Sequence, residues 1–139
     1  MKNLAIGLFL AALAVPVVAH NVEISNEVAA TFHIEPNHNP RKEESTTAWF
    51  ALTRRGGKTI PLSQCNCELN VYNLPRAADA SPVLNPALQA IDVEKYREIP
   101  SASITFPQAG AYELVINGTA KDGTSFQPFE LSYTVNVRP

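Results

Sequence analysis

The stretch that most constrains this chain is Phe129–Val137. Phe129, Leu131, Tyr133, Val135 and Val137 alternate without a break with Glu130, Ser132, Thr134 and Asn136. A repeat of two would scatter apolar groups around a helix, whereas on a strand it gathers them on one face. One strand cannot bury such a face alone, so the rest of the chain has to supply a sheet for it. Four other stretches carry the same repeat. Tyr112, Leu114 and Ile116 alternate inward with Glu113 and Val115 outward, and Val28, Ala30, Phe32 and Ile34 alternate with Ala29, Thr31, His33 and Glu35, placing His33 outward. Within Thr46–Thr53, Ala48, Phe50 and Leu52 share a face opposite Trp49 and Ala51; in mid-chain, Cys65, Cys67, Leu69 and Val71 oppose Asn66, Glu68, Asn70 and Tyr72.

Turn residues separate these runs. Arg54-Arg55-Gly56-Gly57-Lys58 reads as a hairpin turn, Gln108-Ala109-Gly110 as a second turn, and Asn117–Ser125 as a loop. Ser103–Phe106 reads as a short strand. Residues 73–103, with Pro75, Pro82, Pro86 and Pro100, read as an irregular insertion in which Asp92–Arg97 forms one or two helical turns. About seven short strands with little helix predict an all-β, immunoglobulin-like antiparallel β-sandwich over residues 20–139.

The first nineteen residues predict a cleaved signal peptide. Lys2 supplies the positive start, Leu4–Val15 the apolar run, and Val17-Val18-Ala19 a small-residue cleavage site. Interrupted by Pro16, the run from Leu4 to Ala19 is too short to span a bilayer comfortably. No transmembrane segment is expected after cleavage, and the mature chain would begin at His20 in the periplasm or outside the cell. A formal net charge of −2 over 139 residues gives no basic patch and no reason to propose nucleic acid as a partner.

Export makes the fate of the two cysteines a real question. In an extended strand, residues i and i+2 stand about 6.5 Å apart at Cα, and a disulfide needs Cβ atoms within about 4.5 Å. Cys65 and Cys67 therefore pair only if the chain bends there. Otherwise they are two thiols suited to Cu(I) or to dithiol redox chemistry. The three histidines, His20, His33 and His38, all lie near the predicted mature N-terminus. Imidazoles together with a free amine suit Cu(II).

Phe106-Pro107-Gln108-Ala109-Gly110-Ala111-Tyr112-Glu113-Leu114, followed by Phe126–Val137, resembles the closing hairpin of exported immunoglobulin-like modules. It is similar to the YtkA-like domains and, more loosely, to the CopC-like copper-resistance proteins. The resemblance implies a secreted, non-enzymatic module, in several cases tied to metal handling. CopC-like proteins begin with a histidine that binds Cu(II) through its amine and ring, the place His20 would occupy. They also use later histidine and acidic ligands, whereas this chain has no histidine after His38.

Other chemistry-bearing groups read as surface. Arg54, Arg55 and Lys58 make a solvated hairpin tip without a phosphate loop behind it. Asp92, Glu94 and Glu98 make a solvated acidic face, and Asn117-Gly118-Thr119 fits a glycosylation acceptor by pattern alone. No nucleophile motif accompanies the histidines. Two expectations follow: a copper-binding exported module using His20, His33, His38, Cys65 or Cys67, or a non-metal assembly protein of the cell envelope that offers a sheet edge or the irregular segment to an envelope partner.

Overall fold

In the computed structural model, residues 21–139 are described, and the predicted signal peptide and His20 lie outside them. The described chain forms nine strands: β1 (Asn21–Ser25), β2 (Val28–Ile34), β3 (Ser45–Arg54), β4 (Lys58–Thr59), β5 (Cys65–Asn73), β6 (Gln89–Val93), β7 (Tyr96–Thr105), β8 (Gly110–Ala120) and β9 (Phe129–Val137). One 3₁₀ turn, Leu62–Gln64, leads into β5.

The strands make two sheets, ordered β1-β2-β3-β7-β6 and β5-β8-β9, with β4 paired to β3. All strand pairs are antiparallel. Thr53 of β3 pairs with both Ala29 and Thr59, so β4 shares an edge of β3 with β7, at the other end of that strand. The order β2-β3-β7-β6 against β5-β8-β9 is the A-B-E-D against C-F-G arrangement of an immunoglobulin-type sandwich, and β1 extends it by one edge strand.

The alternating residues meet between the sheets. Phe32, Phe50, Leu52, Leu69, Tyr112, Leu114, Ile116, Leu131 and Tyr133 are buried in one cluster. Full burial of each such side chain contributes about 1.5–3 kcal/mol, and this is the main force that fixes the register. Tyr112 also makes a tyrosine corner: its hydroxyl donates to the Gln108 carbonyl at 2.9 Å and accepts from the Gln108 N–H at 3.3 Å. The Ala-Gly-Ala-Tyr stretch thus closes the turn between β7 and β8 as it starts β8.

Several expectations are corrected. The Asp92–Arg97 segment is not helical; it lies in a hairpin between β6 and β7. Val93 pairs with Tyr96 across Glu94-Lys95, and a register shift follows before Ile91 meets Ile99. Glu94 and Glu98 take left-handed φ values of 52° and 53°, and Asp92 Oδ1 accepts the Glu98 N–H at 2.8 Å. Strand β7 runs ten residues where only Ser103–Phe106 was expected, and β8 continues to Ala120, into the start of the expected Asn117–Ser125 loop.

Only residues 74–88 remain irregular, and they are pinned along β5. Val71 exchanges backbone hydrogen bonds with Val83 and Leu84, and the Asn85 amide donates to the Leu69 carbonyl at 2.8 Å. Arg76 pairs with Glu113 at 2.6 Å and lies 3.7 Å over the Tyr72 ring. Val115, expected outward, is buried. Among the described residues no helix is long and apolar enough to cross a membrane.

Candidate functional site

The described histidines do come together. His33 sits on the face of β2 opposite Phe32, yet it is only 9 % exposed, so the outward expectation holds for direction and fails for burial. Its cross-strand partner is Trp49, and the two rings stack with centroids 5.3 Å apart. Trp49 itself belongs to a second buried cluster with Ala51 and Ile99, flanked by Ile91, Val93 and Tyr96. The β6–β7 hairpin packs against Trp49, and Trp49 and His38 in turn flank the His33 ring, neighbours that no local pattern around His33 encodes.

His38 arrives by a tight loop. Asn37 and His38 adopt φ of 48° and 58°, and the His38 N–H donates to the Ile34 carbonyl at 2.8 Å. Asparagine enters this left-handed region more readily than most residues. The loop folds the His38 ring back to 4.8 Å from His33 and 5.7 Å from Phe32, centroid to centroid. Glu35, which sequence reasoning missed, contacts His33 Nε2 at 3.1 Å. A carboxylate on one imidazole nitrogen fixes the orientation of the ring. The only advance signal for Glu35 was its i+2 position on the same strand face as His33.

Strand β1 begins near the same place. Asn21, its first residue, pairs with Phe32, the neighbour of His33. His20 lies outside the described residues, but in sequence it is the next residue before Asn21. Among the described residues no group of three or more His, Cys, Asp or Glu is arranged to hold a metal ion. His33 and His38 are two imidazole donors at one place, a fit to copper in kind but not in number.

The cysteines are elsewhere and are bonded to each other. Cys65 and Cys67 form a disulfide with Cα atoms 5.2 Å apart, shorter than an extended strand allows, so the start of β5 is bent as pairing requires. In this state neither sulfur is a thiolate, and the Cu(I) thiolate reading does not apply to it. Gly118 lies opposite Cys67 on β8. A Cβ there would stand 2.7 Å from Cys65 Sγ, 3.0 Å from Cys67 Sγ and 3.0 Å from Phe129 Cε1. The disulfide thus occupies space that only a glycine leaves open.

The predicted hairpin tip at Arg54–Lys58 forms, with Gly56 and Gly57 at φ of 86° and 78°. It does more than face solvent. Asn26-Glu27, Arg54-Arg55 and Ser125-Phe126-Gln127 line a cavity of about 210 Å³ at the end of the sandwich opposite the histidines. Glu27 has φ 70° in the two-residue β1–β2 turn, at the position where glycine is favoured. Its carboxylate meets Arg55 at 2.7 Å, with the two side chains 51 % and 81 % exposed. A left-handed non-glycine residue costs about 1–2 kcal/mol, and an exposed pair returns about 0–1 kcal/mol. The ion pair does not offset the strain by itself.

Comparison of the chain with protein-family models, with curated proteins and with solved structures finds no match.

Proposed function

We propose that this protein is an exported immunoglobulin-type module that binds one copper ion where β1 begins beside β2. Its ligands would be His33, His38 and, after cleavage at Ala19, the amine and ring of His20. The observation that carries this reading is the convergence of His33 and His38 at 4.8 Å beside the strand start that follows His20. Copper bound there would supply soft-to-borderline Lewis acidity suited to nitrogen donors. The chain's own residues do the rest: Glu35 orients His33 through Nε2, Trp49 backs its ring, and the 36–39 turn aims His38.

Native mass spectrometry of the exported protein tests the proposal. The expected result is a mass beginning at His20 with one Cu(II) retained. His33→Ala and His38→Ala should each weaken binding at least tenfold, and a glycine added before His20 should do the same. A correctly processed protein that retains no stoichiometric copper would overturn the reading.

In that case the non-metal partner reading takes precedence. It is favoured by Val22 and Ile24, which are 59 % and 73 % exposed on the edge strand β1. The irregular segment is a weaker basis for a partner, because residues 83–85 are already bonded to β5.

A further inference from the structure

We infer that the cavity at the β1–β2, β3–β4 and β8–β9 turns is a binding site for a small carboxylate carried next to an apolar group. It stands independently of the copper reading, about 20 Å away along β2 at strand rise. Arg54 and Arg55 line it with one carboxylate, Glu27, while Asp122 of the adjoining loop acts on Arg54 from outside the lining, and Phe126 adds an apolar residue. Planar, multi-donor guanidinium groups match the fork of a carboxylate, and Arg55 already holds one, that of Glu27.

The walls are held in place before any ligand arrives. Arg54 donates to the Ser125 carbonyl at 3.3 Å, which ties the β3–β4 turn to the β8–β9 loop. Asp122 braces that loop: its carboxylate accepts the Thr124 and Ser125 N–H groups at 2.9 and 2.8 Å, and also the Ser125 hydroxyl. The Asn26 amide donates to the Pro128 carbonyl at 2.8 Å, joining the β1–β2 turn to the same loop. Phe126 packs toward Phe129 with ring centroids 6.0 Å apart. The strained backbone at Glu27 aims its carboxylate at Arg55, so Glu27 occupies the place a ligand carboxylate would take. Binding is an exchange of one carboxylate for another.

Two-dimensional ¹⁵N–¹H NMR titration of the mature protein with phenylacetate, phenylacetamide and the peptide Gly-Gly-Phe, free or amidated, tests this. Saturable shifts confined to residues 26–27, 54–55 and 125–127 are expected with the free carboxylates, at least tenfold weaker with the amides. Arg54→Gln should weaken phenylacetate binding at least tenfold, and Glu27→Gly, which relieves the turn, should tighten it. Spectral dispersion shows whether each variant is folded, and Glu27→Gly keeps the test open if Arg54→Gln is not. Tighter binding of Gly-Gly-Phe than of phenylacetate assigns the site to peptide C-termini; the reverse assigns it to free carboxylates. Equal shifts with acids and amides, no saturable shift with any probe, or weaker binding by Glu27→Gly would overturn the inference.

Discussion

Gly118 and the Cys65–Cys67 disulfide are mutually dependent. A three-residue ring removes little freedom from the unfolded chain, about 1.6 kcal/mol by loop closure, so the bridge is a minor staple. Its larger effect is steric: the sulfurs are held against β8 where a side chain at position 118 would project. Gly118→Ala is expected to destabilise the oxidised protein by about 1–3 kcal/mol through overpacking. The same substitution in a Cys65→Ala/Cys67→Ala background should cost much less, because both sulfurs are gone. Urea denaturation of the four proteins as a double-mutant cycle measures the coupling, and equal costs in both backgrounds would show that the sulfurs are not the obstacle. The cysteine spacing left both a disulfide and free thiols open. Position 118, by contrast, read only as part of a glycosylation pattern, since nothing local says that a sulfur lies across the sheet.

At the scale of elements, the period-two stretches became strands, and the expected facing of β3 was correct on both sides. Ala48, Phe50 and Leu52 enter the main core, while Trp49 and Ala51 enter the second cluster. The β6–β7 hairpin was illegible for a physical reason. Its turn uses Glu94 in a left-handed conformation instead of glycine, and Glu98, also left-handed, lies in β7 beside the bulge that offsets the alternation. Strand β8 shows the opposite case, in which a short motif sets a local structure. Tyr112→Phe keeps the buried ring and removes the hydroxyl that bonds Gln108. It should cost about 1 kcal/mol, read as a lower urea midpoint with an unchanged slope. An unchanged midpoint would show that water replaces the corner without loss.

Across the whole molecule, the two sheets are joined by side chains as well as by apolar contact. The Tyr133 hydroxyl on β9 donates to the Ala30 carbonyl on β2 at 3.1 Å, and its ring stacks on Phe32 at 4.5 Å. Burial, and secondarily the Glu23 carboxylate, push the Tyr133 phenol well above its ordinary value of 10.0. An unfolded chain ionises this group near pH 10, whereas the folded chain holds it neutral. The stability it lends is therefore complete below about pH 10 and falls as pH rises beyond that. Urea midpoints from pH 9 to 11.5 should drop more steeply for the natural protein than for Tyr133→Phe. Parallel slopes would mean that the phenol is not shielded. At the opposite extreme, hydrogen bonds led by the Ser125 hydroxyl hold Asp122 down at about 2, below its usual 3.8, so the β8–β9 loop keeps its brace until pH falls below about 4 and loses it toward 2.

The amino-acid order by itself determined the all-β class of fold, because alternation of apolar and polar residues gathers the apolar groups on one face of a strand and five stretches carry it. It also marked the Gly56-Gly57 turn and the Gln108–Gly110 turn, since both are local devices. Tertiary structure alone decided which residues meet. His33 lies beside His38 because the Asn37–His38 turn reverses the chain, and its ring is flanked by His38 and by Trp49 of the neighbouring strand. Arg54 and Arg55 line a cavity because Ser125, some seventy residues later, returns to the same end of the sandwich. Period and turn chemistry act over a few residues, whereas a site is set by strand order, and strand order depends on how all the apolar faces are buried together.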